Sequence, residues 1–167
     1  VIENVLNGRE GVSIANYNCP GQIVITGEAA AVAEAGTALK EAGARRVLPL
    51  KVSGPFHSPM MRPAGEELAK VFARVSMNPL KIPYVANINE EVITDCGRIE
   101  GLLVDQISGS VRWQQSVETM IREGVDTFVE IGPGKTLTGF LRKIDKNVKA
   151  YHIGSWEEAV QVCEELK

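Results

Sequence analysis

A histidine at a sharp turn is the residue of this sequence best placed to do chemistry. His57 follows an apolar run, Val47–Val52, that is typical of a short strand, and a Gly54-Pro55 pair that breaks it. Directly after it, Ser58 can cap a helix and Pro59 suits the first helical position. Rigid elements on both sides would hold the imidazole at a reachable tip, where histidine is well suited to moving a proton at neutral pH. We therefore predict a general base at His57; the alternative is a histidine that only hydrogen-bonds within the turn.

The sequence offers no recognisable partner for that base. A G-x-S-x-G elbow is absent, and no serine lies in a comparable context; the serines considered are Ser53, Ser58, Ser108, Ser110 and Ser116. The Gly132-Pro133-Gly134 loop permits close backbone approach but lacks the spacing of a phosphate-binding loop. His152 lies in a predicted strand and is interpreted as structural, and no cluster has the spacing of a metal site. The nucleophile for His57 is therefore expected outside these residues.

Composition excludes several classes of protein. The 167 residues carry a net charge of −3 with scattered charges, which leaves no nucleic-acid footprint. No apolar run is long enough to span a bilayer, and no signal peptide is recognised. Cys19, Cys96 and Cys163 are odd in number and far apart, which favours structural thiols and a reducing cytoplasm. Because the sequence opens inside an apolar-periodic pattern that ends at Gly8, we expect a fragment of a longer chain.

The first 51 residues predict an incomplete α+β unit. Val12–Asn18 and Gln22–Gly27 have the pattern of a hairpin, and the helix-favouring stretch Glu28–Ala42 precedes a predicted strand at Arg45–Lys51. One face of that helix carries small side chains and is expected to lie against a sheet: Val32, Ala35, Gly36, Leu39 and Ala42. The order matches a ferredoxin-like unit without its first strand. An RNA-recognition module shares the order, but its basic and aromatic signature is absent.

The second part alternates helices and strands. Apolar residues at helical spacing predict helices within 61–75, 99–107, 113–123 and 137–144, and Ser155 begins a capping box for a last helix. Strands are predicted at Ile82–Ile88, Val125–Ile131 and Val148–Ile153. This alternation predicts a parallel α/β sheet, whose functional loops would lie at the carboxyl ends of its strands.

Four stretches carry a family resemblance: Asn16–Gly27, Val52–Ser58, Val111–Trp113 and Val129–Leu137. In order and spacing they resemble the malonyl-CoA:acyl-carrier-protein transacylases of bacterial type II fatty-acid synthesis, and the match covers about the C-terminal half of such an enzyme. The resemblance implies an α/β fold with two parts. Residues 1–51 would be most of an inserted ferredoxin-like (α+β) subdomain whose first strand is missing, and residues 52–167 the C-terminal part of an α/β-hydrolase-like acyltransferase core.

The mechanism implied by the resemblance is ping-pong malonyl transfer from malonyl-CoA to the phosphopantetheine thiol of acyl carrier protein, without a cofactor. His57 matches the family's base, and Gln106 matches the residue whose backbone carbonyl orients it in place of a triad carboxylate. The serine nucleophile, the oxyanion-hole glutamine and the carboxylate-binding arginine of the family lie upstream. This chain alone is therefore expected to be inactive. Without the family, Gln106 would be an ordinary polar residue of an amphipathic helix.

Five further residues match family positions near the substrates. Phe56 resembles the malonyl-selective form of the histidine motif, and its alternative role is that of a core aromatic. Asn16 and Asn18 match cleft positions, with hairpin capping as the alternative. Arg46 and Lys51 match positions suggested to meet phosphates of CoA or of the acidic carrier; the alternative is solvated surface charge.

Expected partners are malonyl-CoA, acyl carrier protein and the missing N-terminal half of the enzyme, with no nucleic acid or membrane. Two other interpretations stay open: a non-catalytic fragment that docks the carrier protein, and an acyltransferase domain of a polyketide synthase. The missing strand would leave edge groups and apolar faces uncovered, so the ordered state is expected to include the N-terminal half.

Overall fold

Local sequence signals place most of the helices and strands of this chain. The computed structural model describes residues 1–167. The helices are α1 (Ile2–Leu6), α2 (Ala29–Glu41), α3 (Arg62–Phe72), α4 (Ile99–Ser108), α5 (Trp113–Arg122), α6 (Thr136–Ile144) and α7 (Trp156–Glu165). The strands are β1 (Val12–Cys19), β2 (Gln22–Gly27), β3 (Tyr84–Val85), β4 (Val92–Ile93), β5 (Thr127–Ile131) and β6 (Lys149–Ile153). None of these helices combines the length and the apolar character that a membrane-spanning helix requires.

The predicted hairpin is confirmed. Strands β1 and β2 pair antiparallel, from Val12 opposite Gly27 to Cys19 opposite Gln22. Gly21 in the turn adopts φ +79, a conformation that glycine reaches without strain. The pairing register shifts twice along β1, which makes Ala15 and Asn18 bulged residues.

Helix α2 buries the small-residue face that the sequence predicts. Ala35, Gly36 and Leu39 are buried, and Val47 occupies the space that a side chain at position 36 would need. Small side chains let the following segment approach the helix axis closely, so the chain runs directly back along α2.

The strand predicted at Arg45–Lys51 does not form in this chain. Its residues pair with no other strand, and the only backbone hydrogen bond within residues 46–52 joins Val52 N–H to Leu50 C=O at 3.1 Å. Alternate side chains along it, Leu48, Leu50 and Val52, are 71%, 59% and 64% exposed. We call these three residues the apolar strip. A strand needs a neighbour to satisfy its backbone groups, and no segment of this chain supplies one.

The parallel arrangement of the second part is present as a single pair. Strands β5 and β6 run parallel, with Thr127 opposite Lys149 and Ile131 opposite Ile153. Helix α6 connects them, and α7 packs against β6. The strand predicted at Ile82–Ile88 is shorter than expected, because only Tyr84–Val85 pairs, antiparallel with β4.

The two predicted parts share a small core. Strand β1 packs against α5 and α6, and Ile14, Cys19, Val117 and Leu141 are among the buried apolar residues. The division at residue 51 stays a prediction, since the hairpin and the later helices bury their apolar side chains together.

The accessible surface is large for the mass of the chain. It amounts to 11214 Å² at 18.1 kDa, whereas a compact monomer of that mass would expose about 8,100 Å². Only 16 of the 167 residues are buried. The structure therefore presents roughly 3,000 Å² more surface than a self-sufficient domain of this size.

Candidate active site

Hydrogen bonds of the Ser58 side chain hold the turn that carries His57. Ser58 is buried, its hydroxyl donates to the Pro55 carbonyl at 2.7 Å, and the same oxygen accepts from Met60 N–H at 3.3 Å. It thus caps the short 3-10 turn Pro59–Met61 that leads into α3, as the sequence predicts. His57 itself has φ 58, a left-handed conformation that costs a non-glycine residue about 1–2 kcal/mol. Such strain persists only where the surroundings over-determine the residue.

Two backbone carbonyls hold the imidazole of His57. Its Nδ1 atom lies 3.1 Å from the Gln106 carbonyl oxygen and 3.2 Å from that of Gly109. Carbonyl oxygens only accept, so Nδ1 must carry the proton and donate to both. The Nε2 atom is left with its lone pair and no partner within the chain. This is the form of histidine that can accept a proton from a hydroxyl or a thiol.

No hydroxyl of this chain engages Nε2 of His57. The neighbouring Ser58 hydroxyl is committed to Pro55 and Met60, and no other serine or threonine hydrogen-bonds to the imidazole. The chain supplies an oriented imidazole with a free ring nitrogen, and a hydroxyl partner for it would have to come from another segment.

The sequence did not predict the role of Gly109. A glycine after the periodic residues of α4 indicates a helix end, and the Gly109 N–H does close that helix on the Asp105 carbonyl at 2.9 Å. That its carbonyl faces a side chain 52 positions earlier depends on tertiary packing, which no local pattern reveals.

Asn16 lies one short loop away from the base. Residues 109–112, here called the carbonyl loop, run from Gly109 to a parallel bridge between Val111 and Asn16 on β1. The bulges at Ala15 and Asn18 flank Asn16, and bulges commonly re-aim side chains beside active sites. The side-chain amides of Asn16 and Asn18 make no hydrogen bond within the chain, so neither caps the hairpin.

The remaining predicted contacts lie on the surface. Phe56, next to the base, is 48% exposed and is not a core aromatic of this chain. Arg46 and Lys51 are exposed and form no ion pair. Arg46 precedes the apolar strip and Lys51 lies between two of its residues, so Arg46, Lys51 and Phe56 all lie on the segment that leads into His57. Their roles toward a substrate remain predictions.

Hydrogen bonds of Glu130 and His152 hold the Gly132-Pro133-Gly134 loop that follows β5. The Glu130 carboxylate accepts from the backbone N–H groups of Leu137 at 3.0 Å and Thr138 at 2.7 Å, and from the Thr138 hydroxyl at 2.6 Å. His152 lies against the Gly132 carbonyl, with Nε2 at 2.9 Å, and its side chain is 10% exposed. His152 thus has the structural position predicted for it.

Glu130 is expected to make stability depend on pH. Burial alone would raise the pKa of its carboxyl, but the hydrogen bonds from Thr138 and Leu137 outweigh burial and hold the pKa below its ordinary value of 4.5. The stabilisation is therefore fully present above pH 4.5 and is lost as the pH falls through the lower folded pKa. Glu130→Gln should lower the free energy of unfolding by about 1 kcal/mol at neutral pH, and by much less in acid.

Urea unfolding at pH 7 and at pH 3 measures that difference. Glu164→Gln, at an exposed position of α7 without a hydrogen bond, is the matched control and should change neither value. An equal loss of unfolding free energy for Glu130→Gln at both pH values would show that the charge of Glu130 does not contribute to its hydrogen bonds with Leu137 and Thr138.

Comparisons with known proteins identify the family of this chain. The family model described as "Acyl transferase domain" matches residues 1–162. The malonyl CoA-acyl carrier protein transacylase of Bacillus subtilis (strain 168) is 41% identical over 156 residues, which cover 93% of this chain and 49% of that protein. The corresponding protein of Staphylococcus aureus (strain COL) is 42% identical over 144 residues, covering 86% of this chain and 47% of that one.

Solved structures give the same result. The crystal structure of MCAT from Streptococcus pneumoniae superposes with a TM-score of 0.93 at 41% identity, covering 99% of this chain and 55% of that one. A malonyl-transacylase solved in complex with its type II PKS acyl-carrier protein, PlMCAT with AntF, gives a TM-score of 0.91 at 37% identity, over 98% of this chain and 53% of the other. The chain spans about half the length of the curated relatives it matches.

Proposed function

The chain belongs to the acyl transferase domain family, and from that premise we propose that it is the base-bearing C-terminal half of an [acyl-carrier-protein] S-malonyltransferase of fatty-acid biosynthesis. The observation that carries the proposal is the imidazole of His57, whose Nδ1 is held by two carbonyls while Nε2 stays free. Relatives at 41% and 42% identity are named for malonyl transfer to acyl carrier protein.

The proposed reaction runs in two half-reactions through this imidazole. In the first, an upstream serine hydroxyl gives its proton to His57 Nε2 while its oxygen attacks the thioester carbon of malonyl-CoA. The imidazolium then protonates the departing CoA thiolate. In the second, the phosphopantetheine thiol of the carrier gives its proton to Nε2 and attacks the serine ester, and the proton returns to serine.

Two neutral carbonyls take the place of a triad carboxylate in this scheme. When Nε2 accepts a proton, the positive charge faces the carbonyl dipoles of Gln106 and Gly109 instead of a full negative charge. The imidazolium is stabilised but not trapped as an ion pair, so it can return the proton. No cofactor enters any of these steps.

Residues around His57 would select and steer the substrates. Phe56 would disfavour a branched acyl group, a bias worth about 1–3 kcal/mol for one methyl. Asn16 and Asn18 would line the cleft with their unengaged amides. Arg46 and Lys51, exposed and unpaired, would meet phosphates of CoA or of an acidic carrier.

A second polypeptide segment would cover the exposed faces of the chain. The excess surface of roughly 3,000 Å² has the size of a permanent interface, and the apolar strip is an exposed segment without a pairing neighbour that leads into the His57 turn. The upstream half that the relatives possess and this chain lacks is the proposed occupant, and it would bring the serine to His57. All three cysteines are free, which supports the proposed cytoplasmic location.

The carrier could also belong to polyketide synthesis. The relative that is 37% identical was solved with a type II PKS acyl-carrier protein, so malonyl transfer to such a carrier is the alternative partner choice. The chemistry at His57 would be the same for both carriers.

Complementation tests the proposed function. The chain is mixed with a separately made N-terminal half of the Bacillus subtilis relative, giving what we call the complemented pair, and malonyl transfer from malonyl-CoA to acyl carrier protein is measured. Transfer is expected from the pair and from neither half alone. A chain that binds the carrier but supports no transfer in the pair would instead be a docking fragment.

A further inference from the structure

Two carbonyls, not one, face the Nδ1 atom of His57. The Gly109 oxygen lies at 3.2 Å, nearly as close as the 3.1 Å of Gln106. One N–H shared between two acceptors confines the imidazole more tightly than a single bond, because rotation toward either carbonyl lengthens the contact to the other. We propose that Gly109 is a positioning residue that aims the base. This rests on the proposed function, since only a reacting imidazole needs that aim.

An alanine at position 109 would require Ile88 to move. An added Cβ would overlap the Cδ1 atom of Ile88 and lie 3.1 Å from the Asp105 carbonyl oxygen. The absence of a side chain lets Ile88 pack directly against the backbone at 109. Ile88 therefore helps to determine where the Gly109 carbonyl points.

The carbonyl loop is also fastened to the hairpin. The Ser110 hydroxyl donates to the Ile14 carbonyl at 2.6 Å, Val111 N–H donates to Ala15 at 2.7 Å, and Tyr17 N–H donates to Val111 at 2.8 Å. Three successive hydrogen bonds join the loop to β1. Ser110 is the only one of these ties that a side-chain substitution can remove, and it adjoins Gly109 in sequence.

The loop thereby connects two parts of the proposed site. The hairpin carries Asn16, and the carbonyl loop carries one of the two acceptors of His57. A shift of Gly109 and Ser110 that leaves the Val111–Asn16 bridge in place should misdirect Nε2 without moving Asn16. The expected signature is a lower kcat with an unchanged KM.

Steady-state kinetics of the complemented pair test this proposal. Gly109→Ala and Ser110→Ala should each lower kcat about ten-fold with KM changed less than about two-fold. Ser108→Ala, whose hydroxyl makes no hydrogen bond, is the matched control and should retain kcat. Adding Ile88→Val to Gly109→Ala removes the Cδ1 atom that the new methyl would overlap, and should restore most of kcat. Unchanged kcat in Gly109→Ala and Ser110→Ala would overturn the proposal. A ten-fold loss of kcat in Ser108→Ala as well would also overturn it, because the effect would then not be specific to Gly109 and its tie to β1.

The imidazole tautomer gives a readout that does not need acyl transfer. The chain has two histidines, so long-range ¹H–¹⁵N spectra of the labelled chain within the pair resolve both rings, and a His57→Gln sample assigns them. His57 should carry its proton on Nδ1, and Gly109→Ala should shift part of the population to Nε2. An unaltered tautomer in Gly109→Ala would refute the positioning role. A pair that shows the tautomer shift but transfers no malonyl group would leave this role intact and overturn the proposed function.

Discussion

Replacing His57 by alanine is expected to lower malonyl transfer by the complemented pair about a thousand-fold or more. The imidazole serves both half-reactions, first as acceptor of the serine proton and then of the carrier thiol proton. Loss of one member of such a unit removes nearly the full contribution of the unit. No other group of this chain lies where it could take over, because no second titratable side chain hydrogen-bonds to the Gln106 or Gly109 carbonyl.

The measurement is kcat/KM for transfer to acyl carrier protein, with the association of the two halves measured on the same samples. His152→Gln changes the only other histidine and is the control; it should retain transfer, since His152 supports the Gly132 carbonyl. Transfer by His57→Ala at the rate of the unmodified pair would end the catalytic interpretation and leave His57 as a turn residue. Loss of association in His57→Ala would be separated from loss of chemistry by saturating one half with the other.

The local fold could be predicted wherever its signals are local. The hairpin follows from alternating residues around Pro20-Gly21, and α7 from the capping serine, whose hydroxyl accepts from Glu158 N–H at 3.2 Å. Neither element depends on distant residues for its type. The strand at Arg45–Lys51 was predicted from the same kind of pattern and is absent, because a strand also requires a neighbour that this chain does not provide.

The candidate site likewise has parts that local sequence signals predict and a part that depends on tertiary packing. The type and spacing of residues around His57 are sufficient to predict a positioned base, and family resemblance adds the carbonyl of Gln106. Gly109 could not be predicted, since its carbonyl reaches the imidazole only through the packing of Ile88 and the ties to β1. Sequence patterns name residues that begin and end elements; they do not give the direction of a backbone carbonyl in tertiary contact.

Leu50→Lys is expected to weaken association with the N-terminal half by at least about a hundred-fold. Leu50 is the central residue of the apolar strip and is 59% exposed in this chain. Covering a leucine contributes about 1.5–3 kcal/mol, and a lysine in its place would also have to lose part of its hydration. A factor of one hundred in Kd corresponds to about 2.7 kcal/mol, which lies within the leucine contribution alone.

Isothermal titration of one half with the other gives the dissociation constants, and urea unfolding of the isolated chain separates folding from docking. Because Leu50 is exposed and its segment makes almost no backbone hydrogen bonds, its substitution should leave the unfolding of the chain unchanged. Val160→Lys on α7, 44% exposed but within a hydrogen-bonded helix, is the control and should bind normally. Equal affinities for Leu50→Lys and the unmodified chain would mean that the apolar strip is not the docking edge. The serine would then have to reach His57 from a segment that leaves this edge open.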